Sequence, residues 1–303
     1  MMNTRRDFIL NTSAATAAIL LHTMESYATP LGTDAKKDLI ILATNWGYEG
    51  DVFQFCEAAS KAGYDGIEVW VPGNANDRTA LKEAVHKFGL KLGLLAGGSN
   101  PDFNTHKNEF YQGIEHGIQM NPIYINCHSG KDYFTFEQNK TLFEYTIKRT
   151  DETMIPIYHE THRGRALFAA HITRPFIEKL KNLKITLDVS HWCNVHESML
   201  EDQQETLALA LERTEHIHAR IGHPEGPQIN DPRAKEWESI VKTHIDWWDI
   251  IVKRKREQGK PITILTEFGP PPYLPTIPHT NKPVANQWDI NVHMMQILRT
   301  RYS

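Results

Sequence analysis

The hydrophobic positions of this chain fall into eight short apolar runs separated by longer amphipathic segments. Short continuous apolar runs are typical of strands that are buried on both faces of a sheet. The pattern therefore predicts eight buried strands, and they comprise residues 39–43, 66–70, 90–96, 123–128, 155–160, 184–188, 216–218 and 262–267.

Between the runs, apolar residues recur every three to four positions, which is the spacing of an amphipathic helix. Gly63 and Gly89 follow two of these segments, at the place where glycine commonly ends a helix. The predicted helices comprise residues 52–62, 77–88, 107–119, 135–154, 175–183, 197–213, 235–258 and 284–299.

This alternation predicts an α/β fold with a parallel sheet that is covered by helices. Eight strand–helix units match a (β/α)8 TIM barrel in number, and 303 residues match it in size. A doubly wound open sheet is the alternative, but no Gly-rich GxGxxG turn follows the first run. We therefore predict a single barrel domain over residues 29–303. Two Pro-rich loops, 222–233 and 269–283, are suited to form substrate walls or a homo-oligomer contact.

Each of the last four runs ends in a residue type that binds metal ions, namely Glu160, Asp188, His218 and Glu267. The carboxyl ends of all strands meet at one mouth of a parallel barrel, so these four side chains are expected to converge. Any one of them alone could be a helix cap or a satisfied polar group. Together, three carboxylates and a neutral imidazole form a site for a hard divalent cation.

Composition and charge narrow the class of ligand. The formal net charge is −4 with no basic block, so a nucleic-acid groove is not expected. The chain has 16 His and 7 Trp residues, which supply metal ligands, proton carriers and flat apolar faces for sugar rings. Among the tryptophans, Trp46, Trp70 and Trp192 lie close to strand ends and are candidates for stacking on a sugar, although core packing is the commoner role.

The three cysteines give no metal motif. Cys56, Cys127 and Cys193 have no CxxC spacing, so buried free thiols are favoured over a bridging pair.

The N-terminus resembles a twin-arginine signal peptide over residues 1–28. Arg5 and Arg6 precede an uncharged, Ala-rich run, and Ser26, Tyr27 and Ala28 offer small residues near a cleavage point. An amphipathic first helix is the alternative, but the run has no polar face. We therefore expect export to the periplasm and no membrane span in the mature protein.

The predicted mature chain resembles the xylose-isomerase-like barrel superfamily of sugar phosphate isomerases and epimerases, and the ketose 3-epimerases in particular. In that branch a Glu, an Asp, a His and a Glu after strands five to eight bind the metal, which corresponds to Glu160, Asp188, His218 and Glu267. The resemblance implies one divalent ion, with Mn²⁺ as the first choice and Mg²⁺, Co²⁺ or Zn²⁺ as alternatives.

The same resemblance implies residues that hold the substrate. His191 matches a family His three residues after the Asp, and His128 matches a polar residue on strand four. The family's Arg after the strand-seven His has no clear counterpart, because Arg220 is closer to His218 than the pattern requires, and His223 could fill its place. The strand-end Glu68 completes the candidates for substrate binding.

This ligand set predicts an isomerase or epimerase that removes a proton beside a sugar carbonyl and passes through an enediolate, with Glu160 and Glu267 as acid and base. The predicted export favours a second hypothesis, a 3-keto-glycoside lyase or hydrolase that acts by β-elimination beside an exported sugar oxidoreductase. An endonuclease-IV-like phosphodiesterase and a non-catalytic sugar-binding barrel remain as weaker alternatives.

Overall fold

Eight parallel strands close into a barrel within residues 38–303, the part of the chain that the computed structural model describes. The signal peptide predicted for residues 1–28 lies outside the described residues. Neighbours in the sequence are neighbours in the sheet, and β8 pairs with β1 to complete the ring. The predicted (β/α)8 barrel is thereby confirmed. The strands are β1 Leu39–Thr44, β2 Gly66–Trp70, β3 Lys91–Gly97, β4 Tyr124–His128, β5 Ile157–Glu160, β6 Ile185–Leu187, β7 Thr214–His218 and β8 Ile262–Thr266.

Helices follow the strands and surround the barrel. They are α1 Val52–Ala62, α2 Ala75–Lys87, α3 Phe103–Gln119, α4 Phe136–Thr153, α5 Ala170–Lys179, α6 Val189–Val195, α7 Gln204–Arg213, α8 Glu238–Glu257 and α9 Gln287–Tyr302, with a 3-10 turn at Lys235–Trp237. No helix in the described part of the chain is long and apolar enough to cross a membrane.

Local sequence explains where several helices begin and end. The Asp51 side chain accepts a hydrogen bond from the Gln54 N–H, and the Gln54 side chain accepts one from the Asp51 N–H. These two bonds satisfy the backbone N–H groups of both residues at the start of α1. Gly63 ends α1 with φ of 95°, a conformation that costs glycine little because it has no Cβ.

Three helix predictions need correction. Helix α5 begins at Ala170 and not at Pro175, which lies inside it. Helix α7 begins at Gln204 and not at residue 197. The short helix α6 was not predicted; it begins directly after Asp188, whose side chain accepts the Ser190 N–H and so caps it.

Side-chain alternation along the strands separates two environments. Outward residues such as Ile67, Val69 and Ile125 belong to a large apolar cluster between the sheet and the helices, which we call the shell. Inward residues form only a small apolar cluster at one end of the barrel, made of Ile40, Leu42, Tyr124 and Leu265. The rest of the barrel interior is polar. It lies between this apolar floor and the carboxyl ends of the strands.

Candidate metal centre and active site

The four predicted ligands come together at the carboxyl ends of β5 to β8. Glu160 is the last residue of β5, Asp188 follows β6, His218 ends β7 and Glu267 follows β8. Each is buried, and one ligand atom from each lies within 4.8 Å of the others. The backbone of a parallel barrel thus places residues that are more than 100 positions apart in one small volume.

His218 lies between two carboxylates without a hydrogen bond to either. Its Nδ1 is 2.8 Å from Glu267 Oε2 and 3.5 Å from Glu160 Oε2, yet Nδ1 has no hydrogen-bond partner. Two ligands that bind one cation at about 2.1 Å in an octahedron are about 3 Å apart. These separations are therefore of the size expected for ligand atoms that share a cation.

Two more acceptor atoms in this cluster have no hydrogen-bond partner. Glu160 Oε1 and Glu267 Oε2 are buried and unpaired, although a buried carboxylate oxygen without a partner is costly. The other oxygen of Glu160 accepts from Asn126 Nδ2 at 2.8 Å and lies 3.0 Å from His128 Nε2. The unpaired oxygens and His218 Nδ1 leave room for one positively charged partner in their midst, and the donor set fits a divalent cation.

The guanidinium of Arg220 enters the same cluster, which the sequence did not predict. Arg220 is 1% exposed and forms an ion pair with Asp188 Oδ2, and the same nitrogen lies 3.6 Å from Glu267 Oε2. The other oxygen of Asp188 accepts from the Ser190 N–H at 3.1 Å and from the Ser190 hydroxyl. Asp188 is therefore the ligand candidate with the most protein partners.

One guanidinium does not balance the charge of the barrel interior. Four buried carboxylates face each other there, on residues Glu68, Glu160, Asp188 and Glu267. Taking such groups from water is costly unless opposite charge accompanies them. With Arg220 as the one lysine or arginine among them in the described structure, the cluster lacks permanent positive charge, and a divalent ion would supply it.

The pKa values of His218 and Asp188 reflect this shortage of positive charge. Burial opposes a charge on His218, but the carboxylates of Glu267, Glu160 and Glu68 hold the pKa of its imidazole well above the ordinary value. Burial raises the pKa of Asp188 to about 6, with a contribution from Glu267 and Glu160 and against the charge of Arg220. Without a cation, the imidazole of His218 carries a proton in its place. Binding of a cation to Nδ1 would release this proton.

A cavity of about 190 Å³ opens above this cluster. Aromatic and apolar side chains form one part of its wall, and titratable groups form the other. Its lining residues are Thr44, Asn45, Trp46, Glu68, Val69, Trp70, Leu95, His128, His162, Arg220, Glu267 and Tyr273. Of the two predicted acid–base carboxylates, only Glu267 faces this cavity. Glu160 is covered by His128 and His162, with which it forms a compact group.

Most of the predicted substrate residues lie at this cavity, but three do not. Trp192 is fully buried and donates its indole N–H to the Leu167 carbonyl at 3.0 Å, so it packs in the core and does not line the cavity. Trp46, Trp70, His128, Arg220 and Glu68 line it. His191 is completely buried beneath it, with Nε2 2.7 Å from Arg220 and its ring 3.9 Å from that of His162. His223 lies outside the cavity, where its ring faces Trp237 at 4.8 Å and its backbone pairs with Gly226. The prediction that His223 replaces the family arginine therefore has no geometric support.

Glu68 lies deeper than predicted. It sits in the middle of β2, where Thr44 is its partner in the ladder, and not at the strand end. Its carboxylate lies 3.2 Å from His216 Nε2 and 3.2 Å from His218 Nε2, and Tyr124 Oη donates to it at 2.7 Å. Burial would raise the pKa of Glu68, but the two imidazoles hold it at about 2.

Tyr273 and Asn126 contact the site and were not predicted to do so. Tyr273 lies in the loop after β8, and the guanidinium carbons of Arg163 and Arg220 are each 4.9 Å from its ring centroid. The inward alternation of β4 could have identified Asn126, because it lies two residues before His128. No local sequence pattern distinguishes Tyr273 from other loop aromatics.

Solved structures with this fold include enzymes that act on sugars. The 3-keto-D-glucoside 4-epimerase of E. coli is 15% identical with a TM-score of 0.60, over 86% of this chain and 99% of that chain. A probable 3-DHS dehydratase of Bacillus anthracis is 16% identical with a TM-score of 0.55, over 86% and 98%. The D-psicose 3-epimerase of Clostridium cellulolyticum H10, solved with D-tagatose, is 14% identical with a TM-score of 0.53, over 86% and 97%.

At these identities the similarity establishes the fold alone, a (β/α)8 barrel. No protein-family profile matches the chain, and no curated protein sequence matches it. The names of the three neighbours describe epimerisation and dehydration, so the fold alone does not determine the reaction. What this chain has in common with a metal enzyme is its own buried His and carboxylate cluster.

Proposed function

We propose that this protein is a divalent-metal-dependent sugar isomerase or epimerase that moves a proton at the carbon beside a carbonyl group. One observation carries the proposal. At the floor of a sugar-sized cavity, two carboxylates with unpaired buried oxygens, Glu160 and Glu267, lie on two sides of an unpaired imidazole nitrogen, His218 Nδ1. A packed structural core would not leave such groups without partners.

Glu160, Asp188, His218 and Glu267 would hold the metal ion. When bound, the ion lowers the pKa of the C–H group next to a chelated ketone and stabilises the enediolate that remains after proton loss. Three carboxylates with one imidazole suit Mn²⁺ best, and Mg²⁺, Co²⁺ or Zn²⁺ are the alternatives.

The two carboxylates have different access to the substrate. Glu267 lines the cavity, so we assign to it the removal of the substrate proton. Glu160 is 1% exposed and its Oε2 is held by Asn126, which leaves Oε1 to return a proton from the second side. Proton transfer from opposite sides inverts the carbon, whereas return at the neighbouring carbon exchanges ketose and aldose.

The cavity wall supplies the groups that a sugar needs. His128 and Arg220 face it with donors for hydroxyl or carbonyl oxygens, and Trp46, Trp70 and Tyr273 offer flat faces for sugar C–H groups. The cavity of about 190 Å³ is suited to a single sugar ring. A nucleic-acid substrate does not fit, because the chain carries a net charge of −4.

A second candidate is cleavage of an oxidised glycoside by β-elimination, in which the carbanion beside a 3-keto group expels the glycosidic oxygen. The indole of Trp70 favours it, because 48% of this side chain remains exposed at the cavity rim and could hold a second ring. The E. coli neighbour is described as acting on a 3-keto-D-glucoside. The periplasmic location predicted from residues 1–28 and an exported sugar oxidoreductase as partner belong to this proposal.

The central experiment is exchange of a substrate C–H with deuterated water in the presence of Mn²⁺. We expect exchange with wild-type protein and a loss of at least about 100-fold in Glu160→Gln and Glu267→Gln, because general acid–base groups contribute about 10² to 10⁴ in rate. Glu115→Gln is the matched control; this helix residue is bonded to Tyr145 and Arg149 on the outer surface.

The substrates to compare are a panel of ketohexoses and a 3-keto-glucoside, with products identified by mass and sugar analysis. A sugar isomer of unchanged mass supports the epimerase, and a free aglycone supports the lyase. If every substrate binds without exchange or turnover, the enzyme proposal is wrong and a sugar-binding barrel is the better description.

A further inference from the structure

A buried carboxylate in the middle of the barrel contacts two histidines at once. Glu68 Oε1 lies 3.2 Å from His218 Nε2, and Glu68 Oε2 lies 3.2 Å from His216 Nε2. His218 therefore has Glu68 on one ring nitrogen and the metal-site carboxylates on the other. A residue in this position can decide which nitrogen of the ring carries the hydrogen.

The group Glu68, His216 and His218 has the spacing of a cation site, but its atoms already have partners. Tyr124 donates its hydroxyl hydrogen to Glu68 Oε2 at 2.7 Å. His216 Nδ1 lies 2.8 Å from the hydroxyl and 2.9 Å from the carbonyl oxygen of Thr263. None of these atoms is among the unpaired buried atoms of the described structure. This group is a hydrogen-bond network, in contrast to the cluster above it.

The contacts of His218 Nε2 define the direction of its hydrogen bond. Its two polar neighbours are Glu68 Oε1 at 3.2 Å and Asn126 Nδ2 at 3.1 Å. Asn126 Nδ2 is itself a donor, and its two hydrogens have acceptors in Glu160 Oε2 at 2.8 Å and Glu68 Oε1 at 3.5 Å. A carboxylate is the stronger acceptor, and a lone pair on Nε2 would face its negative charge. The coherent arrangement has the hydrogen on Nε2, where it is donated to Glu68.

We propose that Glu68 is a positioning residue that keeps the hydrogen of His218 on Nε2 and thereby leaves the Nδ1 lone pair free for the metal ion. This inference rests on the proposed metal-dependent function. Carboxylates that hold the second nitrogen of a metal-binding histidine orient the ring and strengthen it as a ligand. Glu68 thus acts through His218 and contributes no bond of its own to the metal.

The layer beneath prevents Glu68 from turning away. Tyr124 and His216 contact its second oxygen, and the centroids of their rings are 4.4 Å apart. Tyr124 belongs to the apolar floor of the barrel, together with Ile40, Leu42 and Leu265. These contacts therefore connect the apolar floor of the barrel to the orientation of His218 through the carboxylate of Glu68.

The test is the affinity for Mn²⁺, measured by competition with a chelating dye and independent of any substrate. Glu68→Met keeps a similar volume and removes the acceptor, and we expect Mn²⁺ to bind about 10- to 100-fold more weakly. Glu68→Gln keeps an acceptor, so its affinity for Mn²⁺ should lie between those of the wild type and Glu68→Met. Tyr124→Phe removes one bond to Glu68 Oε2 but leaves Oε1 next to His218, so we expect a smaller loss than in Glu68→Met. The matched control is Glu115→Gln on the outer surface, whose Mn²⁺ affinity should stay within about threefold of wild type.

A double-variant cycle separates positioning from general loss of structure. In a His218→Gln background there is no imidazole to orient, so adding Glu68→Met should cost less than about threefold in Mn²⁺ affinity. An equal loss in both backgrounds, or an unchanged affinity in Glu68→Met alone, would overturn this inference while the proposed function stands. Absence of Mn²⁺ binding in the wild-type protein would instead overturn the proposed function, and this inference with it.

Discussion

The shell between sheet and helices and the interior of the barrel follow opposite rules, although the same strands supply both. Ile67 and Val69 of β2 pack outward into the apolar shell, while Glu68 between them points inward to two histidines. The shell gains stability from apolar burial. The upper interior holds charges that burial destabilises. Stability and chemistry are thus divided between alternate residues of single strands.

This division indicates what each class of substitution should do. Shell substitutions should change the free energy of unfolding and leave the folded enzyme competent. Interior substitutions should change metal binding and catalysis, and their effect on the metal-free fold should be small. Each prediction below tests one side of this comparison.

The largest effect on stability is expected from the shell residue Phe55 on α1. It is 1% exposed and packs near Tyr48 and Trp288. Phe55→Ala should lower the free energy of unfolding by about 3–5 kcal/mol, because it removes apolar burial and leaves a cavity. Urea unfolding measures the loss. Mn²⁺ affinity below the transition should remain that of wild type.

The control is Phe55→Leu, which keeps most of the apolar volume and should cost about 1 kcal/mol. A loss of Mn²⁺ affinity in Phe55→Ala that Phe55→Leu does not share would show that the shell and the interior are coupled. The division of stability and metal binding between the shell and the interior would then be wrong.

Low pH should destabilise the fold through a second buried residue of the shell, His244 on α8. Its Nδ1 donates to the Ile240 carbonyl at 3.0 Å and its Nε2 accepts from the Gly222 N–H at 3.3 Å. Burial lowers the pKa of His244 to about 4. The unfolded chain takes up a proton near pH 6.5 and the folded one does not, so stability is present above pH 6.5 and falls as the pH drops toward 4.

This single group should account for about 2.5 kcal/mol of the stability lost between pH 8 and pH 4.5. Urea unfolding of wild type and His244→Gln across this range measures it, and the variant should lose about that much less on acidification. Equal acid sensitivity in the two proteins would contradict the assignment, and other buried histidines such as His159, whose pKa burial lowers to about 3, would then be responsible.

The smallest of these effects concerns the interior. Mn²⁺ at about 10 times its dissociation constant should stabilise the fold by about 1.4 kcal/mol, because it binds the native state alone. Thermal unfolding with added Mn²⁺ and with chelator measures this difference. Glu267→Gln should lose most of the response while its metal-free melting temperature stays near that of wild type. A stabilisation by Mn²⁺ that Glu267→Gln retains in full would place the ion elsewhere.

The periodicity of the sequence was enough to predict the barrel, because buried strands and amphipathic helices differ in pattern over their whole length. The predicted ends of the last four strands also indicated that Glu160, Asp188, His218 and Glu267 lie together, because parallel strands bring their carboxyl ends to one place. Alternation along β5 also explains why His159 packs outside the barrel near Thr146 while its neighbour Glu160 points inward.

What the sequence could not predict depends on contacts between distant residues. Arg220 was expected to bind substrate, and it does line the cavity, but its ion pair with Asp188, which lies 32 positions earlier on a different loop, was not predicted. Helix α6 has only seven residues, too few for a periodic pattern, so its start was visible only in the structure. The depth of Glu68 follows from strand register, which local patterns do not give.

The loop after β8 has a consequence for how this barrel could acquire new specificities. Tyr273 contacts Arg163, Arg220 and Trp46 at the cavity wall, whereas Ile277 and Val284 further along are about half exposed. The catalytic candidates lie at the strand ends, the last of them being Glu267 directly after β8, whereas this part of the wall belongs to residues 270–286, which follow it and precede α9. Evolution or a protein engineer could therefore exchange that segment as a cassette, keeping the chemistry while changing the molecule on which it acts.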